Sequence, residues 1–97
     1  MPPEVADAVS ALGYAARVAI LGYLHQHGPA TRSELAEELK LGTKNTQFHL
    51  AALVALGALT RDPSAEDARR GQIVTYTLVP ERVAELHADL GKHIGVQ

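Results

Sequence analysis

The sequence contains no cysteine, a single phenylalanine (Phe48) and a single methionine. Without cysteine, disulfides and thiolate metal sites are excluded outright. No apolar run approaches the roughly 18 residues needed to span a bilayer. The start, MPPEVADAVS, lacks the basic segment and apolar stretch of a secretory leader. These absences lead to the expectation of a cytoplasmic protein with no membrane partner. Positive charge is not in excess either. Nine Lys and Arg stand against eleven Asp and Glu, a formal net charge of −2. That balance argues against a protein that coats nucleic acid indiscriminately. It leaves open a binder that gathers a few cations on one face. There is no glycine-rich phosphate loop and no Ser/His/Asp arrangement suited to nucleophilic catalysis, so neither an enzyme nor a bound cofactor is expected.

What is present is a short apolar repertoire with regular spacing. Hydrophobic residues make up 46% of the 97, enough for one folded core. Much of that share is Ala, so the core must be built mostly from Leu, Val and Ile. A chain this short buries a modest fraction of its surface, and association with a second copy would help it.

Helical spacing recurs along the chain. Val5, Val9 and Leu12 form one stripe, and Gly13 interrupts it. Val18, Ile20, Leu21 and Leu24 form a broad inward face that stops at Gly28-Pro29. Thr31 and Glu34 have the spacing of a capping box and open a short third helix with Leu35 and Leu39 inward. The segment KLG, residues 40–42, then turns the chain within about three residues, a turn in which a glycine is often found. A fourth helix is expected over about 43–56, with Thr46, Leu50 and Leu53 inward and Gly57 as its C-terminal cap. ALTRD (58–62) and QIVTYTLV (72–79) read as two strands of a hairpin joined by a charged loop. Pro80 opens a last helix on which Val83, Leu86, Leu90 and Ile94 make a stripe that nothing else in the chain is left to cover.

Helices followed by a hairpin and a closing helix describe a winged helix-turn-helix, mostly α with a small β wing. The reading is a single domain over 1–97, with the helix-turn-helix at about 31–57, the wing at about 58–79 and the last helix at about 80–95.

The stretch ELAEELKLGTKNTQFHLAALVALGALT resembles the winged helix-turn-helix repressors of the ArsR type. Glu34, Leu35, Ala36, Leu39, Leu41, His49, Leu50, Leu53 and Gly57 carry the likeness. ALGYAARVAIL extends it upstream, with Arg17 at the matching arginine, and TYTL sits where the family has its second wing strand. The loop DARRGQIVTYTL also looks like the wing of MarR repressors. Three positions depart from the ArsR pattern. Gly42 stands where a capping Ser is usual, with Thr43 as a substitute cap. Thr46 replaces a common Val, and Phe48 replaces a commonly polar or basic residue.

The resemblance implies a homodimeric repressor that binds double-stranded DNA, its fourth helix lying in the major groove. With Thr46, Leu50 and Leu53 inward, Lys44, Gln47, Phe48 and Ala51 face outward, with Asn45 beside them. Lys44 suits a phosphate or a guanine, Asn45 and Gln47 suit adenine, and Phe48 suits a thymine methyl. Thr43 at the helix start suits a phosphate. Arg32, Arg61, Arg69 and Arg70 are further candidates for the DNA backbone or, at the wing tip, the minor groove. Arg17 reads as a structural ion-pair residue or a marginal phosphate contact. The alternative is that this surface is solvated or binds protein instead.

The terminal helices, through Val5, Val9, Val83, Leu86 and Leu90, are the implied dimer interface. ArsR-type repressors often sense metals, but Thr31 and Ser33 stand at the positions of the Cys-x-Cys site. Asp89 and His93 share a helix face, whereas His87 and His93 diverge, as do His25 and His27. A metal-responsive repressor remains an alternative; the reading is no metal site and no identifiable small-molecule effector.

Overall fold

A computed structural model describes residues 1–63 and 73–96. Its elements in chain order are α1 (Pro3–Leu12), α2 (Ala15–His27), β1 (Ala30–Thr31), α3 (Arg32–Glu38), α4 (Thr43–Ala55), β2 (Leu59–Asp62), β3 (Thr75–Leu78) and α5 (Pro80–His93). The described residues form a winged helix-turn-helix: five helices around one core, with a small antiparallel sheet at the side.

The sheet order is β1-β3-β2. Ala30 pairs with Tyr76 and Thr31 with Thr75, while Leu59 pairs with Leu78 and Asp62 with Thr75. The expected two-stranded hairpin is therefore a three-stranded sheet. β1 is two residues long, too short for any alternation to announce it. It matters because it clamps the start of α3 to the wing.

Local signals account for most helix ends. Thr31 caps α3 reciprocally: the Glu34 N–H donates to Thr31 Oγ1, and the Thr31 N–H donates to Glu34 Oε1, each at 3.2 Å. Gly57, at φ 81°, ends α4. Its N–H donates to the Val54 carbonyl and the Ala58 N–H to the Leu53 carbonyl, each at 3.0 Å, which is the Schellman pattern. The turn between α3 and α4 falls on the KLG segment. The same pattern recurs there, with the Lys40 N–H on the Glu37 carbonyl and the Leu41 N–H on the Ala36 carbonyl. The left-handed residue is Lys40, at φ 54°, while Gly42 is ordinary at −65°.

The core gathers Ile20, Leu24, Leu35, Leu50, Leu53, Leu59 and Leu86, with Tyr76 from the sheet. Thr46, Leu50 and Leu53 are fully buried, as the helical period of α4 requires. Two expectations fail. Val18, placed on the inward face of α2, is 48% exposed. The α5 stripe is also partly covered from within the chain, because α1 packs along α5. Val5 and Leu86, expected at a dimer interface, are buried in this single chain, so they offer no surface to a partner. The reason is topological: the two ends of the chain meet, and each supplies the apolar face that the other lacks. Val83 and Leu90 are half-buried, Val9 is 40% exposed and Ile94 is exposed.

Arg82 on α5 completes the packing, and sequence pattern alone did not flag it. Its Nε donates to the Leu56 carbonyl at 2.8 Å, satisfying an orphan acceptor at the end of α4. Its guanidinium also reaches Asp7 on α1 and Glu85.

Candidate nucleic-acid interface

The start of α4 is open. Gly42 is its N-cap, with no side-chain acceptor on the first-turn N–H groups, so Thr43 does not take over as cap. Thr46 explains its own presence: its buried hydroxyl donates to the Gly42 carbonyl at 2.9 Å. The outer face of α4 carries Thr43, Lys44, Asn45, Gln47 and Phe48, all exposed, with exposed Ala51 and Ala55 between them and the helix end. One short helix thus presents a cation, two amides and an aromatic ring on a surface that small residues leave low. That is the shape and chemistry by which a helix enters a major groove.

Beside this face lies a cleft of about 540 Å³, lined by Arg32 and Ser33 from α3, Gln47 and Ala51 from α4, and Arg61 and Ile73 from the wing. The cleft brings together three residues chosen separately from the sequence: Arg32, Gln47 and Arg61. Arg32 Nη1 donates to Gln47 Oε1 at 2.9 Å. Arg61 is half-buried, and its Nε has no partner among the described residues. None of the described residues lining the cleft is acidic. Arg69 and Arg70 lie outside the described residues.

Phe48 is 65% exposed, and its surroundings decide its orientation. Its ring meets the His49 ring edge-on, with centroids 5.5 Å apart, and lies 5.6 Å from the Arg17 guanidinium carbon. The Tyr14 ring lies 4.4 Å from the same carbon. Arg17 itself is 4% exposed. Its Nη1 donates to the Ser10 carbonyl at 2.7 Å and to Ser10 Oγ at 2.9 Å, and its Nε donates to His49 Nδ1 at 3.0 Å. The structural role expected for Arg17 is met by hydrogen bonds and rings; no carboxylate pairs with it among the described residues. Its burial also removes it as a phosphate contact. Burial, and secondarily the Arg17 charge, hold the His49 pKa below its ordinary value. The contact of His49 with Arg17 joins residues 32 apart and leaves no local period in the sequence.

Among the described residues no three His, Asp or Glu side chains converge as a metal site. Among the described residues no single helix is long and apolar enough to cross a membrane.

Comparison with known proteins agrees with this geometry. A family model described as a helix-turn-helix domain matches residues 13–62. No curated protein sequence matches the chain. Among solved structures, an ArsR family transcriptional regulator superposes with a TM-score of 0.73 at 25% identity, covering 98% of this chain and 91% of that one. HlyU from Vibrio cholerae N16961 gives a TM-score of 0.64 at 27% identity, over 95% and 96% of the two chains. The transcriptional repressor BigR from Xylella fastidiosa gives 0.67 at 21% identity, over 97% and 89%.

Proposed function

Since the chain belongs to the helix-turn-helix domain family, whose model spans 50 of its 97 residues (13–62), we propose that it is a homodimeric DNA-binding transcription regulator that represses by occupying an operator. The carrying observation is the division of α4. Thr46, Leu50 and Leu53 are fully buried, while Lys44, Asn45, Gln47 and Phe48 all face solvent. A helix held so firmly on one side can present the other as a rigid reading surface. The cleft at its flank adds the cations Arg32 and Arg61 for the phosphate backbone. The ArsR-type pattern of the helix-turn-helix supports repression. The likeness of the whole fold to an ArsR family transcriptional regulator supports regulation of transcription.

In the dimer, two copies of α4 enter successive major grooves roughly 34 Å apart, and the operator is an imperfect palindrome. Exposed Val9, with half-buried Val83 and Leu90, is the part of the α1–α5 layer still open to a partner. Binding weakens steeply with salt, because phosphate neutralisation dominates affinity.

The test is a gel shift with the DNA flanking the protein's own gene, at low and moderate salt. Retardation that fades with salt is expected. A folded dimer that shifts no DNA at either salt would overturn the reading and favour a protein-binding winged helix. One observation favours that second reading: Tyr14 and Phe48, 52% and 65% exposed, lie on either side of the Arg17 guanidinium.

A further inference from the structure

The hydrogen bond from Arg32 to Gln47 restricts what Gln47 can recognise. An unengaged glutamine offers one acceptor and two donors, and can therefore bind adenine through both N6 and N7. A guanidinium has only donors, so the Gln47 atom facing Arg32 Nη1 at 2.9 Å is the carbonyl Oε1. The amide is thereby fixed in one orientation, with Oε1 toward α3 and the Nε2 hydrogens away from it. What the pair presents outward is mainly donors, the Nε2 hydrogens of Gln47 and the remaining N–H groups of Arg32, against a single lone pair left on Oε1. No described acidic residue lines the cleft to reverse that character. Adenine shows an acceptor and a donor in the major groove, and its N6 donor would have only the remaining lone pair of an oxygen turned toward α3 and shared with a cation. Guanine shows two adjacent acceptors, N7 and O6.

We infer that Arg32 and Gln47 act as one reading unit that selects guanine over adenine at one position of each half-site, with Arg32 as the positioning residue. This rests on the DNA-binding reading above and replaces the adenine preference that an isolated Gln47 would have. Both side chains are exposed, so truncating either leaves the core intact.

The experiment is selection of bound sequences from a random duplex pool by the full chain, followed by affinity measurements on the selected site with G or A at the position concerned. Wild type is expected to prefer guanine there by about tenfold, the scale of one good base contact. Arg32→Ala frees the Gln47 amide and shifts that position toward adenine, while the other positions hold. Gln47→Ala flattens it. A wild-type preference for adenine overturns the inference, and so does an Arg32→Ala variant that loses affinity evenly with its sequence preference unchanged. A preference untouched by Gln47→Ala overturns it as well. If wild type enriches no sequence at all, the DNA-reading function fails together with the inference. An enriched site with the wrong base response overturns the inference alone.

Discussion

Arg17 and His49 stand 32 residues apart and are joined by a 3.0 Å hydrogen bond from Nε to Nδ1, tying α2 to the middle of α4. The bond requires a lone pair on Nδ1, and so a neutral imidazole. Protonation would remove that acceptor and set two cations face to face. Tyr14 and Phe48 flank the pair and supply no negative charge.

A pH dependence follows, and its sign is fixed. The folded pKa of His49 lies below its unfolded value of about 6.5. The unfolded chain therefore binds the proton more readily, and stability rises with pH through this window. The contribution is complete above the unfolded value and is lost as pH falls through the folded one. Urea denaturation at pH 7.5 and pH 5 should show a larger acid loss for wild type than for His49→Asn, which keeps a neutral acceptor. Equal losses would refute the account.

Arg17→Lys should destabilise by about 1.5–3 kcal/mol despite keeping the charge. One ammonium cannot serve His49 and Ser10 from the two edges of a planar fork, and it leaves buried acceptors unsatisfied. The shift in the urea midpoint at unchanged m-value measures it.

Lys40→Gly should stabilise the fold by about 0.5–1 kcal/mol. Lys40 sits at φ 54° and ends α3 where glycine would carry no steric penalty. The greater entropy of glycine in the unfolded chain offsets part of the gain. A lowered melting temperature would show that the Lys40 side chain contributes more than its backbone costs.

On the reading face, Lys44→Ala and Gln47→Ala should each weaken operator binding by about 1–3 kcal/mol. Phe48→Ala should relax preference at one thymine while leaving the fold within about 1 kcal/mol, since the ring is 65% exposed and touches Arg17 only at its rim. Competition gel shifts against single-base variants of the operator provide the measurement. If DNA affinity is untouched while a protein contact is lost, Phe48 belongs to a partner surface.

Val9→Glu should raise the dimer dissociation constant by about tenfold or more without unfolding the chain, because Val9 is 40% exposed at the outer side of α1. Sedimentation equilibrium reads the change; an unaltered dimer would place the interface elsewhere.

Much of this molecule was legible along the chain. Thr46, Leu50 and Leu53 at helical spacing separated the buried face of α4 from the exposed one. The Thr31–Glu34 box and the Gly57 cap marked helix ends because both are contacts between near neighbours. The ArsR-type pattern led to the same fold that the superpositions found. What the sequence could not show lay between distant residues. Val5 and Leu86 looked like interface residues because nothing local says that α1 and α5 will cover each other. The KLG turn was legible, but which of its residues takes the left-handed conformation was not: Lys40 holds it, while Gly42 caps α4.

The sequence by itself determined where the helices run and which side of each turns inward, because those properties depend on spacings of three, four and seven residues. Only the tertiary structure decided which partners meet: Ala30 with Tyr76, Arg17 with His49, Arg32 with Gln47 and Arg82 with Leu56. Such contacts join elements whose separation along the chain follows no period. Phe48, conspicuous in the sequence as the sole phenylalanine, acquired its meaning the same way: it is the exposed rim of a stack that begins at a buried arginine two helices away.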